Sequence, residues 1–210
     1  MMRFTLIAAL AGSLVLSACG SASDNPLRAI LAKNLKQLTS KKSDQPALTT
    51  EVLRARLTPE VRARIGLPVL IVELPKQKVA SVVVETARNG DVTTWWAEDR
   101  VGLSTKSGLL ISTRGLGFDL MSSDVRGPLA LIRARQSGTA TRDHRFLDGE
   151  NQEVLLRFSC TYLGDTSSVI ESCTAKDLQI ENHYWFDQSG EIWRSKQWAG
   201  VENGYLLIER

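Results

Sequence analysis

The sequence predicts a mainly β protein, an antiparallel barrel-like or sandwich domain of about ten strands that follows short N-terminal helices. Runs of β-branched residues such as VLIVEL and KVASVVVETA begin directly after Pro68. From there, turn signals recur about every 8–12 residues, which is typical of all-β domains. Clear helical spacing of apolar residues is confined to the chain before Pro68.

The chain begins with an apolar run that starts after Arg3 and is too short to cross a membrane. It covers about 13 residues, whereas a membrane-spanning helix needs about 20. Residues 1–18 are therefore expected to be a signal peptide. The letters LSAC at its end resemble a lipobox, which implies cleavage before Cys19 and acylation of that cysteine with palmitate-type chains. An ordinary signal peptide with an incidental cysteine is the alternative.

The segment after Cys19 predicts a tether and then helices. Residues 19–25 are polar and rich in turn formers, and Gly20 stands where aspartate would favour retention in the inner membrane. Residues 26–66 are predicted to be a helical segment, beginning with an amphipathic helix over 26–38. A later helix has Thr58 as its cap, Pro59 in its first turn and Gly66 at its end.

Residues 67–210 are predicted to form the β domain. Asn89-Gly90 is a strong hairpin signal, and Ser107-Gly108 marks a second hairpin. The stretch GPLALIRARQSG, which starts at Gly127, is ambiguous between a strand and a short helix. A membrane-spanning barrel is disfavoured because charged residues interrupt most strands in both alternation phases.

The charge balance argues against nucleic acid as a partner. The chain has 26 Lys and Arg against 23 Asp and Glu, and Arg3 is the one charged side chain within residues 1–18. The mature protein would therefore be nearly neutral, with both signs interspersed and no basic stripe.

Cys160 and Cys173 are predicted to form a disulfide. They flank the turn residues GDTSS, and a hairpin centred at Asp165–Ser167 places them opposite each other. Opposed residues in an antiparallel pair lie within disulfide range, and an exported protein meets oxidising conditions. Two buried free thiols are the alternative.

Recognised catalytic and cofactor motifs are absent from the sequence. It contains no GxSxG, HExxH, P-loop or CxxC pattern. His144 and His183 are far apart, and no spacing indicates a metal site. We therefore expect no enzymatic activity, no cofactor and no metal.

Residues 112–127 contain an unusual glycine-rich stretch. Gly115 and Gly117 lack the third glycine and the βαβ context of a dinucleotide loop, so a tight bend is expected there. Asp119 and Asp124 would cap this bend, with Arg114 or Arg126 as ion partners. A glycosidase pair formed by Asp119 with Asp124 or Glu98 stays an alternative.

Five tryptophans are candidates for contact with a glycan or a protein partner. Consecutive strand residues face opposite sides, so Trp95 and Trp96 cannot both lie in one core. Tryptophan can stack on sugar rings, but packing in a large core is the favoured role, ahead of contact with a partner or a sugar. The candidates are Trp95, Trp96, Trp185, Trp193 and Trp198.

The stretches STRGLGFDLMSSD and YWFDQSGEIWRSKQWAGVENGYLLIE, together with the lipobox, resemble the YjbF/GfcB lipoprotein family. Gly115, Gly117 and Asp119 match its motif, and the family transfers no catalytic residues. The resemblance implies an outer-membrane lipoprotein on the periplasmic face of a Gram-negative envelope, associated with exopolysaccharide or group 4 capsule export.

The expected function is therefore that of a non-catalytic accessory protein in polysaccharide secretion or assembly. Its expected partners are the membrane through the lipid, an outer-membrane β-barrel or other export proteins, and the polysaccharide. The alternatives are an enzyme acting on the glycan and a general structural or chaperone lipoprotein of the envelope.

Overall fold

A computed structural model describes residues 48–148 and 150–210 of the chain. The predicted signal peptide, the predicted lipidation site Cys19, the predicted tether and the predicted helix over 26–38 lie outside these residues. No helix within the described ranges is long and apolar enough to cross a bilayer.

The described residues contain three short helices: α1 (Thr50–Arg56), α2 (Pro59–Ile65) and α3 (Arg126–Ala134). The Thr58 hydroxyl caps α2 by accepting the Val61 N–H, and Gly66 ends this helix with φ 69°. These boundaries are the ones that the sequence predicts. The ambiguous stretch after Gly127 belongs to α3, which ends at Arg135 in the left-handed conformation.

Twelve strands form one antiparallel sheet that curls into a nearly closed barrel. Their order in the sheet is β5-β4-β3-β2-β1-β12-β11-β10-β9-β8-β7-β6. The strands are β1 (Val69–Leu74), β2 (Val79–Asn89), β3 (Val92–Trp96), β4 (Gly102–Lys106), β5 (Leu109–Arg114), β6 (Ser122–Asp124), β7 (Gly138–Leu147), β8 (Glu153–Gly164), β9 (Ser168–Ala175), β10 (Leu178–Phe186), β11 (Ile192–Trp198) and β12 (Tyr205–Glu209).

The mainly β prediction is confirmed, and the barrel replaces the sandwich alternative. The number of strands is twelve instead of about ten, partly because the three-residue strand β6 is too short to show alternation. The predicted turns are present: Asn89 pairs with Val92 across one hairpin, and Lys106 pairs with Leu109 across the next.

The predicted partnership of Cys160 and Cys173 is also present. The two residues are directly opposed in the β8–β9 ladder and form a disulfide, with their Cα atoms 4.0 Å apart. Both side chains are buried in the barrel interior, where the disulfide joins the main hydrophobic cluster.

The sheet has a seam, because its two outermost strands, β5 and β6, are not paired with each other in the described structure. Side chains from the interior meet the free edge of β5 instead. The Leu110 N–H donates to Oε1 of Gln197 at 2.7 Å, and Nη2 of Arg142 donates to the Leu110 carbonyl at 3.2 Å. The edge at Leu110 is thus satisfied by side chains, whereas nearer the far end of β5 the Thr113 N–H donates to the Leu120 carbonyl at 2.9 Å.

The core lies on both faces of the first strand. Inside the barrel, Leu70 and Val72 join an apolar cluster that includes Trp95. On the outer face, Ile71 packs beneath Leu53 of α1. The N-terminal helices therefore cover the outside of β1 and β2, which explains why β1 is apolar at nearly every position.

The connections between strands define two ends of the barrel. The cleft end is formed by the turns at 90–91, 107–108, 165–167 and 187–191. The far end is formed by the connections at 75–78, 97–101, 115–121 and 199–204, together with the turn after Leu147. Strand β1 runs from the cleft end to the far end.

Candidate functional site

The cleft end contains a cavity of about 380 Å³ that opens between hairpin tips and continues into the barrel mouth. This volume falls within the range of small-molecule sites. Its residues come from strands that are distant in sequence. They include Arg88, Asp91, Thr93, Trp95, Thr105, Arg133, Glu191, Trp193 and Arg210.

Two of the five candidate tryptophans line this cleft. Trp95 is 7% exposed, and its indole N–H donates to the Thr105 hydroxyl at 3.0 Å. Trp193 is 38% exposed. In the β10–β11 ladder, Arg194 pairs with Trp185 and Ile192 pairs with Phe186. Trp193 lies between these two pairs, at the point where the register shifts. The cleft thus offers one fixed and one accessible aromatic surface.

The charged groups of the cleft are mostly paired. Asp91 lies 3.6 Å from Lys106, and Glu191 lies 3.8 Å from Arg210. Arg88 binds Glu85 through two hydrogen bonds. Within the described ranges, Arg133 has no carboxylate partner and donates to the Ser107 hydroxyl. The cleft therefore offers Arg133 to a ligand without first breaking an ion pair.

The other three tryptophans occupy different surroundings. Trp96 is partly buried on the face opposite Trp95. Trp185 stacks on His183 with ring centroids 3.9 Å apart, and the Arg194 guanidinium lies over the same indole. Trp198 is 5% exposed and stacks on His144 inside the core. Trp198 therefore packs in the core.

The glycine-rich stretch forms a tight bend at the far end. Gly115 has φ 84°, and a Cβ atom there would lie 2.7 Å from the Arg100 carbonyl oxygen. The Asp119 carboxylate accepts the N–H groups of Gly115 and Leu116 and the Thr113 hydroxyl. Gly117 also has positive φ, 92°. The motif thus shapes a loop, which is the structural role that the sequence suggests.

The carboxylates considered for catalysis are held by neighbours. Asp124 accepts two N–H groups of the Arg126 side chain, whose hydrogen bonds and charge lower the pKa of Asp124 to about 2. A general acid at neutral pH needs a raised pKa instead. The Asp119 carboxylate accepts three hydrogen bonds within the bend.

A buried polar network occupies the barrel interior beside the disulfide. Glu171 accepts hydrogen bonds from Arg142 (2.6 Å) and Asn182 (2.8 Å), and from the hydroxyls of Tyr162 (2.6 Å) and Tyr184 (2.8 Å). Burial opposes the charge on Arg142 most strongly, but Glu171, Tyr184 and Tyr162 together outweigh burial and raise the pKa of the guanidinium. All four donors converge on one carboxylate, so the network is saturated.

One group of potential metal ligands occurs in the described part of the chain: Cys160, Glu171 and Cys173, with ligand atoms within 4.8 Å of one another. The two sulfurs are joined in the disulfide, and a metal would need thiolates. Because Glu171 is also saturated by donors, this group does not fit a metal site.

His144 is fully buried and has no hydrogen-bond partner for either ring nitrogen in the described structure. Its ring stacks on Trp198 and meets the edge of Phe158. Burial, followed by the nearby charge of Arg142, holds the pKa of His144 well below its ordinary value. The imidazole is therefore neutral and packs as an aromatic residue.

Sequence reasoning did not find the arginines of the cleft. Arg88, Arg133 and Arg210 are widely separated along the chain, and no local motif links them. The hairpin signals could have placed Arg88 near a strand end. Only the barrel topology shows that β2, β12 and α3 end at the same mouth.

Fold and cleft together place the chain in the class of small antiparallel β-barrels with a cleft at one end. Residues 45–210 match the family described as group 4 capsule polysaccharide lipoprotein GfcB, YjbF. The match covers most of the sequence, so the chain belongs to the YjbF family, and the resemblance seen in the sequence is confirmed.

A solved structure supports the fold. The hypothetical lipoprotein YmcC from Escherichia coli (K12) aligns with a TM-score of 0.59 and 19% sequence identity, over 80% of this chain and 96% of that one. At this identity the likeness shows a shared fold alone. Among curated proteins, no match to the chain is found.

Proposed function

We propose that this YjbF-family protein is a lipid-anchored, non-catalytic accessory protein of the outer membrane that acts in capsule or exopolysaccharide secretion. Its end cleft would contact the polysaccharide, and an outer-membrane β-barrel or another export protein would be its protein partner. The family description supports the link to capsule polysaccharide.

The observation that carries the proposal is the cleft itself. It combines a half-exposed indole, Trp193, with Arg133, which has no carboxylate partner among the described residues, and its lining also includes Trp95 and two threonines. Indole faces suit sugar rings, and guanidinium groups donate several hydrogen bonds to hydroxyl or carboxylate oxygens. The cleft can therefore hold a short polar saccharide segment without performing chemistry on it.

The direct test is to titrate the full acylated chain with oligosaccharides prepared from the surface polysaccharide of its own bacterium. Trp193→Ala should weaken binding by about tenfold or more, because burial of an aromatic side chain contributes about 1.5–3 kcal/mol. Arg133→Gln should also weaken binding. Trp185→Ala, on the outer face of the barrel, is the matched control and should bind like the wild type.

Failure to bind any such oligosaccharide, or equal loss in the Trp185→Ala control, would refute the role of the cleft. The anchor is tested separately with Cys19→Ala, which should abolish labelling by a fatty-acid probe. Crosslinking in the native envelope, followed by identification of the captured proteins, tests the export partner.

A further inference from the structure

Exposed large hydrophobic side chains are concentrated at the far end of the barrel. The described residues include eight of them, and six lie in or beside the far-end connections: Val79, Phe118, Leu147, Val154, Leu155 and Val201. Phe118 is 60% exposed and Val201 is 64% exposed. Scattered surface apolar residues are ordinary, but a clustered set marks a contact surface.

The tips that carry Phe118 and Val201 are held side by side. The side-chain amide of Asn203 donates to the Phe118 carbonyl at 2.5 Å, and Lys76 Nζ donates to the Val201 carbonyl at 3.1 Å. The bend that Asp119 organises thus presents Phe118 beside the 199–204 turn. We call the exposed side chains of Phe118 and Val201, together with the adjoining Lys76, the apolar tip.

The N-terminal chain joins the barrel on the side of this end. The first helix begins at Thr50, whose hydroxyl bonds to Glu73 near the far end of β1. The helix then runs toward the cleft end, where Arg54 pairs with Glu209. The described chain therefore enters the barrel at the end that carries the apolar tip, and the family is one of lipoproteins.

We propose that the apolar tip is a membrane-contact surface. Phe118 and Val201 enter the interfacial region of the bilayer, and Lys76 extends its ammonium group to the phosphate level. The barrel stands on its far end, with the cleft directed away from the membrane. Separate projecting loops fit a bilayer better than a partner helix, which needs a groove.

The charge at the far end determines which bilayer this surface fits. Acidic side chains outnumber basic ones in its connections, with Glu98, Asp99 and Glu202 among them. A strongly anionic surface would repel these groups. The occupant is therefore a zwitterionic bilayer such as phosphatidylethanolamine with phosphatidylcholine. This inference does not depend on the cleft binding a glycan.

The test uses the full acylated chain bound to phosphatidylethanolamine–phosphatidylcholine vesicles. Phe118→Cys and Val201→Cys each receive an environment-sensitive fluorophore, and Gln188→Cys, in an exposed turn of the cleft end, is the control. The labels at 118 and 201 should shift to the blue and be quenched severalfold by brominated lipids, and the label at 188 should stay accessible to iodide. Phe118→Ser should reduce lipid quenching of the label at 201.

Equal iodide accessibility of all three labels would overturn the proposal, as would unchanged quenching in the Phe118→Ser variant. Labels that are shielded in native envelopes but not in vesicles would show that a protein covers this end, which also overturns it. Stronger quenching in vesicles rich in phosphatidylglycerol than in zwitterionic ones would contradict the charge argument. Thermal unfolding of each variant checks that the exposed substitutions leave the fold intact.

Discussion

Replacement of Arg142 by methionine tests whether the buried polar network holds the barrel together. The Arg142 side chain is 1% exposed and that of Glu171 is 0% exposed. Methionine fills much of the arginine volume but removes the charge and all of its donors. Glu171 would then remain as a buried carboxylate without its cation.

The expected cost is large. Removing one partner of a buried ion pair costs about 3–5 kcal/mol, because the other charge stays buried and unpaired. The hydrogen bonds of Arg142 to the Leu110 carbonyl and the Ser123 hydroxyl are lost as well, at about 1 kcal/mol each. Domains of this size are stable by about 5–15 kcal/mol, so the variant should be severely destabilised.

The assay is equilibrium unfolding in urea. Where the m-value of the variant equals that of the wild type, the shift in midpoint gives the change in the free energy of unfolding. The matched control is Arg157→Met, since Arg157 forms a comparable bidentate pair with Asp143 on adjoining strands but is 67% exposed. Its midpoint should stay near that of the wild type.

A double-mutant cycle isolates the pair itself. Glu171→Gln alone should also be costly, because Arg142 becomes the unpaired buried charge. The double variant should be less destabilised than the sum of the two, by about 2 kcal/mol or more. A midpoint for Arg142→Met no lower than that of Arg157→Met, or strict additivity in the cycle, would refute the reasoning.

Three further predictions concern the barrel interior. Gln197→Leu leaves the Leu110 N–H without its acceptor, so the free energy of unfolding should fall by about 1–3 kcal/mol and hydrogen exchange at that amide should become faster. Gln179→Leu, at an exposed position, is the control and should change neither quantity. His144 has a lowered pKa when folded and an ordinary one, about 6.5, when unfolded, so stability that is complete above this pH should fall as the pH drops below it. In the His144→Phe variant, unfolding should take up about one proton fewer, so stability should fall less between pH 7 and pH 5. The difference between the urea midpoints at these two pH values measures this effect. Reduction of Cys160–Cys173 should cost about 2–3 kcal/mol by the same assay, and an unreduced, denatured sample should show no reactive thiol at these positions.

The features that the sequence predicts well are the local ones. A two-residue turn such as Ser107-Gly108 needs positive φ at both positions, and the structure has 50° and 87° there. That requirement is met within a few residues, so it is visible without knowledge of the fold. The alignment of Cys160 with Cys173 follows from the same short-range geometry, because one hairpin turn fixes the register of the whole ladder.

The features that the sequence conceals are those that depend on closure of the sheet. Arg142 and Glu171 lie 29 residues apart, on strands where a charged residue ordinarily faces water. Alternation shows that Arg142 shares a face with His144, but it does not show which face is interior. The pairing of β1 with β12 joins strands from both ends of the chain into one sheet, and in that curled sheet Arg142 and His144 are buried.

The polar interior and the open seam are two aspects of one arrangement. Unpaired backbone groups that are buried must find partners, and Leu110, on the free edge of β5, is fully buried. Gln197 on β11 supplies the acceptor for its N–H from across the barrel interior, and Arg142 on β7, the neighbour of β6, supplies a donor for its carbonyl. A purely apolar core would leave both groups unsatisfied. Part of the buried polar network thus serves the edge of β5 at Leu110, where no backbone partner is present, and Glu171 neutralises the arginine that reaches this edge.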